Sequence, residues 1–312
     1  MTHFIMLVGI PGSGKSTLAK SLSRQYNATI HASDVIRNEL HGSETAQDNH
    51  TLVFETLHKR VKEDLAKGQS TIYDATNISY KRRMAFLQEI KKYNAYTICY
   101  VTIRSYEGCI AVNDERERVV PHHSIKNMIK SFWVPQYYEG WNEIKLVYNE
   151  MAPSSHLTLE ATLNSLKHYN QKTRWHSLTL GHHLTKTQTM LYSSGRINLA
   201  SSAEDKCLHI AALYHDIGKP FVKTFTNKKG EPSKDAHYYG HANASAYEFL
   251  VKANGETLLS QKSILAICNY IQWHMLPYNI LRNGGGDNFI NLVGKETYKR
   301  LMLLNEADRK AH

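Results

Sequence analysis

Apolar and polar positions change rhythm about halfway along the chain. In the first 150 residues, short β-rich runs at Phe4 to Val8, Thr29 to His31, Thr71 to Tyr73, Tyr96 to Ile103 and Ile144 to Tyr148 alternate with stretches of helical period. Leu57, Val61 and Leu65 recur at i, i+4 and i+8 and stop at Gly68, the stripe and terminator of an amphipathic helix. Such a series packs as α/β, a parallel sheet flanked by helices. From about residue 155 the helical stretches Asp205 to Tyr214, Ala242 to Lys252, Gln261 to Ile271 and Lys295 to Leu304 follow one another with no convincing strand, which predicts an all-α second domain. The expected division is a first domain over 1–152, a linker over 153–172 containing a Pro-Ser-Ser segment, and a second domain over 173–312.

A chain of 312 residues fits two domains better than one core, and 42% apolar against 21% charged residues argues against disorder. The longest apolar run, Phe4 to Ile10, is too short to span a bilayer and lacks a basic flank, so neither a membrane span nor an export signal is expected. Four scattered cysteines without a Cys-x-x-Cys pair fit a reduced, cytoplasmic chain. The net charge of +10 points towards an anionic partner such as nucleic acid. Its excess lies late: 19 basic against 16 acidic residues up to residue 150, and 19 against 12 beyond.

Gly9-Ile10-Pro11-Gly12-Ser13-Gly14-Lys15-Ser16 follows a predicted strand and opens a helical pattern from Thr17 to Gln25, the context a phosphate cradle requires. Backbone N–H groups around Gly12, Ser13, Gly14 and Thr17 would face the phosphates of ATP or another NTP. Lys15 would supply a positive charge at the β- and γ-phosphates, and the Ser16 hydroxyl a ligand to Mg²⁺. After the second strand, Ser33-Asp34-Val35-Ile36-Arg37 places a carboxylate and a guanidinium one helical turn apart. Asp34 could take a proton from an attacking hydroxyl while Arg37 holds a phosphate; the plainer reading makes Asp34 a helix cap. Asp74, in Tyr73-Asp74-Ala75-Thr76-Asn77, sits at the C-terminal end of a strand, where ligands lie in open α/β sheets. Arg116 and Arg118 stand in a charged stretch with the character of a lid, or of a solvated helix face.

These motifs, with Lys81-Arg82-Arg83 after the Asp74 segment and Val119-Val120-Pro121 after the arginines, resemble the 5′-hydroxyl polynucleotide kinases of the phage and bacterial end-healing type over about residues 4–150. The resemblance implies a P-loop kinase domain in which Lys15 and Ser16 bind nucleotide, Asp34 is the general base, Arg37 contacts the acceptor phosphate and Arg116 or Arg118 stabilises the transferred group. Relatives of this fold also phosphorylate small molecules.

In the second half, His215-Asp216 ends an apolar helical stretch at a glycine-containing turn with Lys219, while His183, His241, His274 and Asp308 lie on or beside other predicted helices. A helical bundle could converge them, and six N and O donors without thiolate suit Mn²⁺, Fe²⁺, Co²⁺, Ni²⁺ or Mg²⁺ better than structural zinc. The order H…HD…H…H…D resembles the HD phosphohydrolase superfamily over roughly residues 174–310, which implies one or two metals, a bridging Asp216 and hydrolysis at phosphorus. His176 and His182 compete with His183 as the first ligand. A lysine-rich loop carrying Lys223, Lys228, Lys229 and Lys234 beside Tyr238 and Tyr239 could admit a strand, or could simply be solvated.

A phosphate-adding and a phosphate-removing site in tandem fit an end-healing enzyme: a 5′-kinase joined to a 2′,3′-phosphatase or phosphodiesterase, with RNA as substrate and a separate RNA ligase downstream. The alternatives are a nucleoside or small-molecule kinase fused to a nucleotidase, and a nucleotide-sensing regulatory module.

Overall fold

The computed structural model describes residues 1–42, 50–150, 158–174, 177–256 and 258–311; the Pro-Ser-Ser segment at 153–155 and His176 lie outside them. Contact grouping separates two units, one of residues 1–128 with 135–150, the other of residues 129–134 with 151–312.

The first unit runs β1 (His3–Val8), α1 (Lys15–Tyr26), β2 (Thr29–Ala32), α2 (Ser33–His41), α3 (His50–Ala66), β3 (Thr71–Asp74), α4 (Tyr80–Ile90), β4 (Tyr96–Ile103), α5 (Tyr106–Asp114), α6 (His122–Lys130) and β5 (Glu143–Tyr148). Its sheet is wholly parallel in the order β2-β3-β1-β4-β5, and each strand lies within one residue of its expected bounds. Ile5 and Leu7 of β1 bury against Ile72, Ile98, Ala19 and Leu22, which is why the middle strand is an unbroken apolar run. Val53, Leu57, Val61 and Leu65 form the buried stripe of α3. Because β1 is central and the chain crosses from β3 to β4 on its other side, the loops after β1, β2 and β3 open at one rim, the crevice where α/β sheets bind ligands.

The second unit runs α7 (Leu159–Leu166), α8 (Leu180–Ser193), α9 (Ala203–Tyr214), α10 (Lys219–Val222), β6 (Thr224–Thr226), β7 (Pro232–His237), α11 (His241–Lys252), α12 (Gln261–Trp273), α13 (Leu276–Asn283), α14 (Gly286–Val293) and α15 (Lys295–Lys310). It is helical, as expected, except that β6 and β7 pair antiparallel, Thr224 opposite His237. This hairpin corrects the expectation of a strandless domain. Its sequence hides it: of the nine strand residues only Phe225 and Ala236 are apolar, so no hydrophobic alternation marks it. The core is built from Leu208, Ala211 and Ala212 of α9, Ala246, Phe249 and Leu250 of α11, and Ile264, Ile267 and Ile271 of α12. No helix among the described residues is long and apolar enough to cross a membrane.

Candidate functional sites

The loop after β1 has the shape of a phosphate cradle. Gly12 takes φ +80°, and a Cβ there would lie 2.2 Å from the Cys109 carbonyl oxygen, so only glycine fits. The Gly9 N–H donates to the Thr76 carbonyl (3.0 Å). The Ser13 hydroxyl hydrogen-bonds that of Thr102 (2.7 Å), and Asn149 Nδ2 donates to the Ser13 carbonyl (2.6 Å). Arg104 bridges the Gly12 and Asn149 carbonyls at 3.0 and 2.9 Å. The loop is therefore braced from β4 and from the end of β5, and its backbone N–H groups need little reorganisation to meet an anion.

Lys15 Nζ folds back on the Ile10 carbonyl (2.9 Å). Desolvation pushes its ammonium down, opposed by the charge of Asp74. Burial pushes the Asp74 carboxyl up, while Lys15 and a hydrogen bond from Ser16 hold it down. That Ser16–Asp74 contact is the pairing through which P-loop proteins hold Mg²⁺, and Ser16 and Thr17 are exposed, open to a ligand. Asp34 lies in the first turn of α2 behind Ala32, the N-cap, and its side chain caps nothing. Instead its Oδ1 accepts from Arg37 Nη1 (2.8 Å) and from Arg118 Nη1 (2.7 Å), with the carboxylate still 43% exposed. Arg116 and Arg118 stand in the loop between α5 and α6, not on a helix face, and Arg116 is close enough to act on both Lys15 and Asp74.

A buried ion pair far apart in sequence supports this rim. Arg83, from α4, donates to Glu139 from Nε (2.7 Å) and Nη2 (2.6 Å), and from Nη1 to the Asn77 carbonyl (2.8 Å). Asn77, at φ +48°, donates in turn to the Leu7 carbonyl (2.8 Å), which pins the loop after Asp74 to β1. The Trp141 indole N–H and the Gln136 amide also donate to Glu139 (3.1 Å each). Glu139→Ala leaves a guanidinium buried without its carboxylate and is expected to destabilise the first unit by about 3–5 kcal/mol. Urea unfolding followed through the first unit's transition checks this; an unchanged midpoint contradicts it.

In the second unit five helices deliver six side chains to one point. His183 comes from α8, His215 and Asp216 from the end of α9, His241 opens α11, His274 follows α12, and Asp308 lies in the last turn of α15. His182 is exposed, so of that adjacent pair the structure places His183 inside. His183 Nε2 lies 3.1 Å from Asp308 Oδ1 and 3.7 Å from Asp216 Oδ2, and His215 Nε2 lies 3.5 Å from Asp216 Oδ2. On the other side, His241 and His274 Nε2 lie 3.3 and 3.6 Å from Asp216 Oδ1. The donors thus form two groups that share Asp216: His183, His215 and Asp216, and Asp216, His241 and His274.

Backbone carbonyls orient three of the rings. Nδ1 of His215, His241 and His274 meets the carbonyl three residues earlier, Ala212 (2.9 Å), Tyr238 (2.8 Å) and Ile271 (2.7 Å). A carbonyl only accepts, so Nδ1 carries the proton and Nε2 presents its lone pair to the site, the tautomer a metal ligand needs. Burial pushes His241 down, and burial with the neighbouring His215 pushes His274 to about 3, so both rings are neutral. Their Nε2 atoms stand 3.2 Å apart; two bare lone pairs so placed repel unless a cation or a proton lies between them. His215 Nε2 and Asp216 Oδ1 are buried without a hydrogen bond, which polar atoms in a packed interior rarely tolerate. The donor set therefore fits divalent cations, of the N/O-preferring kind.

Asp216 is held ionised despite burial by the ammonium of Lys219 first and by His215 next. Lys219 Nζ is 2.6 Å from its Oδ2 and donates to Gln171 Oε1 (2.8 Å). Gly218 is required between them because a Cβ would come within 2.4 Å of the Ser245 N. Tyr278 donates to Asp308 Oδ2 (3.3 Å). Asn243 and Gln272, each two residues from a site histidine, donate to the Phe132 carbonyl (2.8 and 2.7 Å), and Val134 N donates to Gln272 Oε1 (3.1 Å). Residues 129–134 thus brace the helix ends that carry His241 and His274. Nothing in the sequence marks Gln171, Tyr278 or this strap, because each acts through one hydrogen bond across a long separation.

The two geometries define a nucleotide-binding P-loop unit and a helical unit with a shared-carboxylate cation site. Residues 4–135 match the family model of the AAA domain, and residues 176–311 that of the HD domain. The chain accordingly carries a P-loop, kinase-like domain followed by an HD phosphohydrolase domain, of the kind that binds divalent metals. Three solved structures are similar at low identity. They are a kinase-like protein from Chloroflexus aurantiacus J-10-fl (15% identity, TM-score 0.41, 47% of this chain and 85% of that one), a gluconokinase from Sinorhizobium meliloti 1021 (12%, 0.33, 47% and 82%) and a Pnkp1/Rnl/Hen1 complex (20%, 0.33, 62% and 67%). A search of curated proteins finds no match.

Proposed function

We propose that the chain heals both ends of a broken nucleic-acid strand, RNA in particular: NTP-dependent phosphorylation of a 5′-hydroxyl end, and metal-dependent removal of a 2′,3′-cyclic, 2′- or 3′-phosphate. The observation that carries this reading is the presence, in one chain, of an Asp–Arg–Arg constellation at a phosphate cradle and a two-group His/Asp cluster around Asp216. One suits adding a phosphoryl group; the other suits removing one.

At the first site, Lys15 and the loop N–H groups hold the β- and γ-phosphates of ATP, with Ser16 and Asp74 as the residues to hold Mg²⁺. Asp34 accepts the proton of the 5′-hydroxyl as its oxygen attacks the γ-phosphorus and the β,γ bridge breaks, leaving the nucleoside diphosphate. Arg37 holds the neighbouring strand phosphate, and Arg118 leaves Asp34 to join Arg116 over the transferred group. At the second site, His183, His215, His241, His274, Asp216 and Asp308 would hold one or two ions of Mn²⁺, Ni²⁺, Co²⁺ or Fe²⁺, which when bound supply Lewis acidity and an acidified water. Asp216 faces both donor groups, and Lys219, held by Asp216 and Gln171, would supply positive charge to a phosphate bound there. One water adds to phosphorus and a ring P–O bond breaks, leaving a phosphomonoester and a ribose hydroxyl that takes up a proton; a second water then cleaves the remaining ester P–O bond, giving inorganic phosphate and the second free hydroxyl. The product ends, 5′-phosphate and 3′-hydroxyl, are those an RNA ligase consumes.

Incubation with ATP, Mg²⁺ and Mn²⁺ of an RNA bearing 5′-hydroxyl and 2′,3′-cyclic phosphate ends is expected to convert both termini. Labelling of mononucleosides or sugars in preference to oligonucleotides would contradict the polynucleotide reading.

A further inference from the structure

The lysine-rich segment is folded, and what it folds into bears on which substrates reach the HD site. Hairpin β6–β7 runs directly into that site: Tyr238, the residue after β7, receives His241 Nδ1 on its carbonyl, and the Tyr238 hydroxyl donates to the Gln171 carbonyl. From the metal site outward, cations and rings alternate. Lys219 Nζ lies 5.5 Å from the centre of the Tyr238 ring, Tyr169 stands beside Tyr238, and Lys223 Nζ lies 5.0 Å from the Tyr169 ring and 5.6 Å from that of Phe225. Phe225, at the far end, is 47% exposed on β6. Alongside, His237 stacks on Tyr239 (5.3 Å, 9°) with Lys228 Nζ 5.7 Å over that ring. Of the hairpin's two carboxylates, Asp235 is paired with Arg174 (3.0 Å), while Glu231 accepts from the Asn227 amide (2.8 Å) and keeps its charge, one negative charge against Lys223, Lys228, Lys229 and Lys234.

Resting on the end-healing reading, we infer that this hairpin is a docking platform for a single nucleic-acid strand, holding the nucleotides upstream of the 3′ end whose phosphate the HD site removes. Every base offers a face to Phe225 and to the tyrosines, and Lys223, Lys228 and Lys229 answer backbone phosphates, the combination by which sequence-tolerant single-strand binders work. A duplex would keep its bases stacked and out of reach of the exposed ring. An acidic peptide would meet the lysines but leave Phe225 without a partner. The platform makes the HD site selective for polynucleotide ends over mononucleotides.

The test uses the full chain, a 5′-fluorescein oligouridylate with a 3′-hydroxyl as binding probe, and two hydrolysis substrates: an oligouridylate ending in 2′,3′-cyclic phosphate, and 2′,3′-cyclic UMP. Phe225→Ala is expected to weaken probe binding by about tenfold and to lower kcat/KM for the oligonucleotide in step, with cyclic UMP hydrolysis unchanged. Lys228→Gln with Lys229→Gln is expected to flatten the slope of log K against log salt by about 1.4. Unchanged binding and slope, equal competition by polyglutamate, or a parallel loss on cyclic UMP would each overturn the platform. If the wild-type chain hydrolyses neither substrate, the end-healing reading of the HD site fails, while the anisotropy of the probe still decides whether the platform exists.

Discussion

Asp216→Asn is expected to lower hydrolysis at the HD site by at least about a thousandfold while leaving γ-phosphoryl transfer at the P-loop site intact. The amide keeps the volume of the carboxylate and leaves an oxygen for Lys219. What it removes is the one negative charge common to both donor groups, carried by a residue 3% exposed that faces Lys219 and four histidines. Each group then keeps only its histidine rings, with Asp308 beside His183 and His215, and the affinity for divalent ions falls with the lost charge. Parallel assays of phosphate release and of γ-phosphoryl transfer check the pair of outcomes. Loss of both activities would show that the two sites are not independent, and survival of hydrolysis would remove Asp216 from the chemistry.

Lys15→Ala is expected to do the reverse, cutting phosphoryl transfer by about a thousandfold or more with hydrolysis at the HD site unchanged. The ammonium is the only side-chain cation the cradle loop itself supplies; at rest it is parked on the Ile10 carbonyl, and desolvation already makes its charge costly there. A polyphosphate replaces that weak contact with a strong one, so the lysine favours the charged, nucleotide-bound state over the resting one. Transfer to a 5′-hydroxyl oligonucleotide from γ-labelled ATP measures the loss. Activity within tenfold of wild type would mean that the loop N–H groups and Arg116 or Arg118 suffice without it.

Which features were legible beforehand follows from how each signal is carried. The parallel sheet was legible because β1 and β4 are buried along most of their length and read as largely apolar runs, and β3, also buried, as a short β-rich one. The phosphate cradle was legible because its residue types are contiguous and Gly12 is fixed by its own positive φ, and the histidine and aspartate series because His215 and Asp216 are adjacent before a glycine-containing turn. The β6–β7 hairpin was not legible, since its polar strands carry no period. Neither was Glu139, which meets Arg83 across 56 residues, nor the partition of the charged loop, where Arg118 rather than Arg116 pairs with Asp34. Those contacts depend on packing of distant segments, which no local pattern records.

Asp216 is shared by two groups of donors, one completed by His183 and His215 and the other by His241 and His274, and each is expected to hold a cation. Anomalous diffraction from crystals grown with Mn²⁺ tests it directly. The expected result is two peaks flanking the Asp216 carboxylate, within bonding distance of the Nε2 atoms of His215 and His183 on one side and of His241 and His274 on the other. No peak among these residues, or manganese bound only elsewhere in the chain, would contradict the account.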